Sequence, residues 1–179
     1  MFKKLNSKSV YKNKWTEVFE DEIEFPNSQK GIYGYMQRSD GAGVAVINDC
    51  HEILLIKQYR YPIGKMQWGI PGGAIDGTDP EQSAIRELKE ETGVTVISIE
   101  KLVEVYPLSS GSTEKEYIYF ARVTSQDLPS EDVSDADEFV GEKRFVPILE
   151  ALQMIDAGEN IDPVTSSVIQ MLARKLKLT

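Results

Sequence analysis

Glu87, Glu90 and Glu91 stand within one five-residue span of the segment RELKEETGV (86–94). Carboxylates at i, i+3 and i+4 share one side of an α-helix. Like charges so spaced destabilise an isolated helix by about 0.2–0.5 kcal/mol per pair, and more when an apolar stripe runs beside them. A positive partner is therefore expected there. Three oxygen donors with no histidine suit a hard divalent cation, Mg²⁺ or Mn²⁺, better than zinc, and such ions complete their shells with waters and ligand phosphates. The same run also reads as a solvated acidic helix face. What favours a site is the preceding PGGAIDG (71–77), whose Pro71-Gly72-Gly73 and Asp76-Gly77 turn bring bare backbone, and a backbone carbonyl, up to the carboxylates.

The helix that must present these groups is well marked. Asp79 before Pro80 predicts its start, with the Asp79 side chain accepting the amide of Gln82, and Gly93 predicts its stop. Ala84, Ile85, Leu88 and Thr92 form the expected buried face, with the three glutamates on an adjacent arc of roughly 100°.

Around this helix, GVAVIN (43–48) and EILLIKQY (52–59) read as a hairpin turning at Asp49-Cys50-His51. VISIEKLVEVY (96–106), KEYIYFARV (115–123) and KRFVPI (143–148) read as further strands. Helices are expected over 148–158, stopped by Gly158, and over 163–178, where Val164, Val168, Leu172 and Leu176 recur every four residues. Residues 11–38 read as an extra β-hairpin turning near Pro26-Asn27-Ser28, and QDLPSEDVSDADE (126–138) as a long acidic loop. The pattern is α+β, a mixed sheet with helices packed on it.

The 179 residues, 41% of them apolar, suffice for one compact domain with a small appendage. A formal charge of -9 argues against nucleic acid or an anionic membrane as partner, so a phosphorylated ligand would need a cation as intermediary. One cysteine, Cys50, rules out an internal disulfide framework, and MFKKLNSKSV leads into no apolar segment. A cytoplasmic protein with no leader and no membrane span is the expectation. His51, at a predicted turn, is given no role.

RELKEETGV after PGG resembles the Nudix box, G-x5-E-x7-R-E-U-x-E-E-x-G-U with U aliphatic. The resemblance implies a hydrolase of nucleoside diphosphates linked to another moiety, built as an α/β/α sandwich with a mixed sheet over residues 40–179 and an N-terminal β-hairpin appendage over 1–39. It makes Glu87, Glu90 and Glu91 metal-binding carboxylates, the Gly72 carbonyl a further ligand, and Arg86 a buried arginine that braces the loop, with Glu87 and Arg86 counted in the catalytic set. Two or more Mg²⁺ or Mn²⁺ ions are implied. The box departs from the pattern at Thr78, where Glu is usual, and the loop from Gly73 to Arg86 is one residue short. Asp76 and Asp79 are the acids left to substitute.

More of the chain is similar to the ADP-ribose pyrophosphatase branch. IKQYRYP (56–62) resembles the strand whose arginine contacts phosphate, here Arg60; KNKWTEV (12–18) resembles the hairpin that forms intertwined homodimers and stacks an aromatic on the base, here Trp15 with Tyr33 as second candidate. DEFVGEKRFVP (137–147) resembles the segment bearing the catalytic base, which implies Glu138, with Glu142 in reserve. Ser110 replaces the marker proline of YPLSSGSTE (106–114), and Gly69 and Gly72 stand where the branch has Glu and Ala, so GDP-mannose, other nucleotide sugars and dinucleotides stay open beside ADP-ribose. The rival readings are a nucleoside triphosphate pyrophosphohydrolase and a nucleotide-binding module that has lost turnover.

Overall fold

The computed structural model describes residues 1–77, 79–127, 129–130 and 140–178, so Thr78 and Glu138 lie outside the described residues. The chain forms two compact units, residues 1–40 with 106–116, and residues 41–105 with 117–179.

The first unit is built on a three-stranded antiparallel sheet in the order β1 (Lys3–Lys12), β2 (Thr16–Glu24), β3 (Lys30–Arg38). The expected hairpin is β2–β3, turning where the Phe25 amide bonds Gln29 O. Strand β1 was not expected. Its sequence KKLNSKSVYK lacks a buried face, and every residue of it is exposed. Cross-strand pairing holds it instead: Ser7 donates to Asp21 at 2.5 Å, and Lys4 pairs with the same carboxylate at 3.1 Å. Residues 106–116 join this unit through the Met36 amide on Gly111 O, the Thr113 amide on Met36 O and an Arg38–Glu114 ion pair at 3.1 Å.

The second unit is a mixed sheet covered on both faces. Its main path runs β10 (Val140–Pro147), β5 (Glu52–Arg60), β4 (Gly41–Ile47), β9 (Glu116–Arg122), β8 (Glu100–Val105); β6 (Lys65–Gly69) pairs with β5 and β7 (Gly72–Ala74) with β4. Strict alternation divides the side chains. Ala42, Val44 and Val46 of β4, Leu54 of β5, and Tyr119 and Ala121 of β9 pack with Ala84 and Leu88 of α1 (Pro80–Thr92). Ala45, Ile47, Ile53, Leu55, Ile118 and Phe120 pack on the other face with α2 (Ile148–Asp156) and α3 (Pro163–Lys175). The result is the expected α/β/α sandwich.

Differences from expectation have local causes. Strand β8 begins at Glu100 rather than Val96, because Val96 and Ile99 pack against the α1 cluster before the strand starts. Strands β6 and β7 were not expected, being short and glycine-bearing. A Cβ on Gly72 would stand 2.6 Å from both Ala42 O and the Gly43 Cα, so only glycine permits this close approach of β7 to β4 without a shift. On α1, Ser83 is buried while Ile85 is only half-buried, and Glu91 itself joins the buried side. Leu88, fully buried on α1, is the test of this packing: Leu88→Ala lowers the unfolding free energy by about 2–5 kcal/mol in urea denaturation, and a loss under 1 kcal/mol contradicts it.

Candidate active site

Helix α1 begins as its sequence requires. Asp79 caps it, accepting the Glu81 amide at 2.8 Å, one residue earlier than the expected Gln82. Gly93 ends it in the left-handed conformation (φ 74°), its amide on Lys89 O. Between these caps the three glutamates meet three different environments.

Glu91 is the deepest, with 3% of its surface exposed. A buried carboxylate demands donors, and two elements supply them. Gln58 Nε2 of β5 donates to Oε1 at 2.5 Å, and the Gly72 amide of β7 donates to Oε2 at 2.8 Å. Glu87 runs over the bare Cα of Gly73; a Cβ there would stand 2.6 Å from the Glu87 carboxyl carbon. Glu87 and Glu90 share one cation: Arg86 Nη2 lies 2.7 Å from Glu87, and Nη1 lies 2.6 Å from Glu90. Burial works against the Arg86 charge, but the two glutamates outweigh it and raise its pKa above the ordinary value.

Arg86 thus supplies part of the positive charge that the acidic run called for. It is 38% exposed rather than buried as the box resemblance implies. It still reaches the preceding loop, through Asp76 at 3.5 Å. Of the two acids available in place of Thr78, Asp76 therefore contacts the arginine, while Asp79 is occupied as the helix cap. Because Arg86 draws Glu87 and Glu90 to itself while Gln58 and Gly72 hold Glu91, no three acidic, histidine or cysteine side chains among the described residues are gathered tightly enough to chelate an ion. The donor set nonetheless fits a hard divalent cation in kind: three carboxylates on one helix, all oxygen, with bare glycine backbone beside them.

Two residues at this site were missed from sequence. Gln58 follows Leu54 and Ile56 on the alternating positions of β5 that face α1, and a polar residue there needs a partner. Lys143 occupies the equivalent place on β10, opposite Ile56 and next along from Phe145, which packs on the α1 cluster. Burial lowers its pKa, with the nearby Glu91 charge opposing. Its ammonium donates to Ser130 O at 3.2 Å.

The other candidates are dispersed. Arg60 ends β5, two residues after Gln58; among the described residues no ion pair or side-chain hydrogen bond engages it, and its Nη2 lies 3.9 Å from where a Cβ on Gly69 would stand. Glu142 pairs instead with Arg144 at 3.0 Å, and Arg144 stacks on Trp68 of the α2–α3 cluster. In the first unit, Trp15 is 69% exposed at the β1–β2 turn with the Lys14 ammonium 5.4 Å from its ring centroid. Tyr33, opposite Asp21, lines a cavity of about 290 Å³ with Phe2, Lys4, Ile23 and Tyr35, and donates to Ser110 O at 2.8 Å. Five residues of ladder separate Trp15's end of the sheet from Tyr33, roughly 17 Å, so one sheet does not bring the two together.

A NUDIX domain family model matches residues 37–167, spanning the whole acidic site. The chain belongs to the NUDIX family. Residues 2–36 match a nucleoside diphosphate sugar hydrolase N-terminal domain. Among Nudix relatives, an ADP-ribose pyrophosphatase of Bacillus subtilis (strain 168) is 28% identical over 97% of this chain and 93% of its own. A GDP-mannose pyrophosphatase of Yersinia enterocolitica is 32% identical over 74% and 73%. A crystal structure of an ADP compounds hydrolase superposes with a TM-score of 0.78 at 23% identity, covering 98% of this chain and 93% of that one, which shows the Nudix fold. The chain is a Nudix hydrolase, and hydrolysis of nucleoside diphosphate derivatives is the supported reaction. No helix among the described residues is long and apolar enough to cross a membrane. If Gln58 holds Glu91 as described, Gln58→Met lowers the unfolding free energy by about 1.5–3 kcal/mol in chemical denaturation, the range for a hydrogen bond to a charged group.

Proposed function

We propose that this Nudix hydrolase cleaves the diphosphate linkage of ADP-ribose or a nucleotide sugar, releasing a nucleoside monophosphate and a sugar phosphate. The observation that carries the reading is that a nucleoside diphosphate sugar hydrolase N-terminal domain and a NUDIX domain follow one another over residues 2–36 and 37–167. The names of the relatives support the same substrates.

Glu87, Glu90 and Glu91, with the Gly72 carbonyl, are the groups that would hold Mg²⁺ or Mn²⁺, two or more ions in all. When bound, such cations neutralise the diphosphate and raise the acidity of water. Arg86, which bridges Glu87 and Glu90, belongs with Glu87 to the catalytic set. Arg60, whose guanidinium meets no ion pair or side-chain hydrogen bond among the described residues, suits a bidentate hold on a phosphate. Water adds at one phosphorus, the anhydride P–O bond breaks, and Glu138 takes the proton; Glu138 is assigned from the sequence resemblance alone. Trp15 and Tyr33 are proposed for base stacking, worth roughly 1–3 kcal/mol per base. For Tyr33 the aromatic-lined cavity supports this.

The same sheet supports a homodimer. Val10, Tyr11, Trp15 and Ile32 stand exposed on it, and residues 1–39 are proposed as the dimerisation element. Sedimentation velocity should give twice the 20.1 kDa chain mass; a monomer at micromolar concentration would remove this part of the proposal. With Mg²⁺, a chromatographic screen of ADP-ribose, GDP-mannose, dinucleotides and nucleoside triphosphates should show turnover of the first two. EDTA should abolish it, Mn²⁺ should restore it, and Glu90→Gln or Glu91→Gln should cut kcat by about 10²–10³-fold. Turnover at the unaltered rate in both variants contradicts the assignment.

A further inference from the structure

Glycine inside a strand gives up side-chain packing and costs chain entropy, so its presence there asks for a reason. At Gly43, Gly72 and Gly73 the reason is steric, since a Cβ would stand 3.0 Å or less from a neighbouring atom. Gly69, the last residue of β6, has no such reason. Its φ lies outside the left-handed region, and among the described residues a Cβ there would meet only Thr165 Oγ1 at 3.8 Å and Arg60 Nη2 at 3.9 Å, both ordinary contact distances. What the glycine leaves free is the space that a longer side chain would take. One wall of that space is fixed: Thr165 is buried, its hydroxyl accepts the Ile70 amide at 3.0 Å, and its own amide donates to the Asp162 carboxylate at 2.9 Å. The other wall is the guanidinium of Arg60.

Arg60 pairs across the ladder with Lys65, at the far end of β6 from Gly69, so its side chain runs back over β6 instead of off the end of β5. Ile56, Gln58 and Arg60 share one face of β5 with their partners Gly69, Gln67 and Lys65 on β6, and it is the face on which Gln58 meets Glu91. Beyond Gly69 the chain passes through Pro71 to Gly72, whose amide donates to the same carboxylate. The guanidinium is thus laid over bare backbone on the acidic-helix side of the sheet, with no ion pair or side-chain hydrogen bond among the described residues to hold it. From this geometry we infer that Gly69 is a positioning residue for the reaction: its missing side chain is the bed on which Arg60 lies, and so sets where the arginine meets a phosphate of the nucleoside diphosphate. The inference rests on the proposed phosphate role of Arg60. A planar guanidinium grips a phosphate through two parallel N–H donors, so a sideways shift or a tilt loses one of them.

The test is a double-mutant cycle between the two positions in the full chain, read in two ways. Thermal unfolding reads the contact alone. Gly69→Leu and Gly69→Met should lower Tm in the unaltered background and lower it much less beside Arg60→Ala, because removing the guanidinium vacates the space; an equal loss in both backgrounds overturns the inference. Steady-state kinetics with Mg²⁺ and ADP-ribose or GDP-mannose reads the consequence. Arg60→Ala, Gly69→Leu and Gly69→Met should each raise KM by about tenfold, as expected for losing a hydrogen bond to a charged group, with kcat changed far less. In Arg60→Ala/Gly69→Leu the KM should match that of Arg60→Ala within about twofold, whereas two effects that multiply overturn the inference. Folded Gly69 variants with unaltered KM, beside an Arg60→Ala that raises it, overturn the inference and leave the phosphate role of Arg60 standing. Arg60→Ala with unaltered KM overturns that role and the inference with it. Absence of turnover with either substrate overturns the substrate assignment, and the same cycle is then read on the Kd of ADP.

Discussion

Placing a carboxylate at the seam between a helix and a sheet is the constraint on which the second unit turns. Glu91 is tolerable there because β5 and β7 each aim one donor at it. Those donors fix much else. The Gly72 amide reaches Glu91 only because β7 lies close against β4, and β7 lies close only because Gly72 carries no side chain. Gln58 brings the end of β5, and so Arg60 two residues later, into a defined position relative to the acidic helix. One buried anion thereby aligns the loop after β6, the first residues of β7, the end of β5 and α1. Apolar contacts of Leu88 and Ala84 hold the helix on the sheet, but they would tolerate sliding; the polar contacts do not.

The distribution of basic groups follows from the same electrostatics. Arg86 is half-exposed and bridges two glutamates on its own helix, an interaction worth little in water and more in the partly dry cleft. Lys143 approaches from the sheet side. Together they keep a markedly acidic helix compatible with a chain that already carries nine excess negative charges. The acidic run is thus not an isolated anionic patch, since Arg86 pairs with two of its glutamates and with Asp76 of the preceding loop.

Much of this was legible in the residues. The caps Asp79 and Gly93, the alternation of β4, β5 and β9, and the two later helices follow from local signals whose physics is short-ranged. The β-hairpin of 11–38 was legible for the same reason. Strand β1 was not, because nothing in KKLNSKSVYK marks a buried face; its place is set by pairing with β2 and by Asp21. Ile85 was assigned to the buried stripe on angle alone, yet the sheet presents its apolar surface to Ala84 and Leu88 instead. Gln58 and Lys143 were passed over because periodicity reports which way a side chain faces and not what it meets. Both carried a usable signal, a polar residue at a core-facing position. The contact of Arg86 with Asp76 needed the loop's path in space, which no spacing rule supplies.

Residues 106–116 join β8 to β9 in the chain, yet their hydrogen bonds run to β3 through Met36, Tyr33 and Arg38, and to Asp40 just after it. A strand transplanted from a relative would keep the backbone hydrogen bonds at Met36, which any residue can supply, but would need its own groups in place of the Tyr33 hydroxyl, the Arg38 guanidinium and the Asp40 carboxylate to grip this connector.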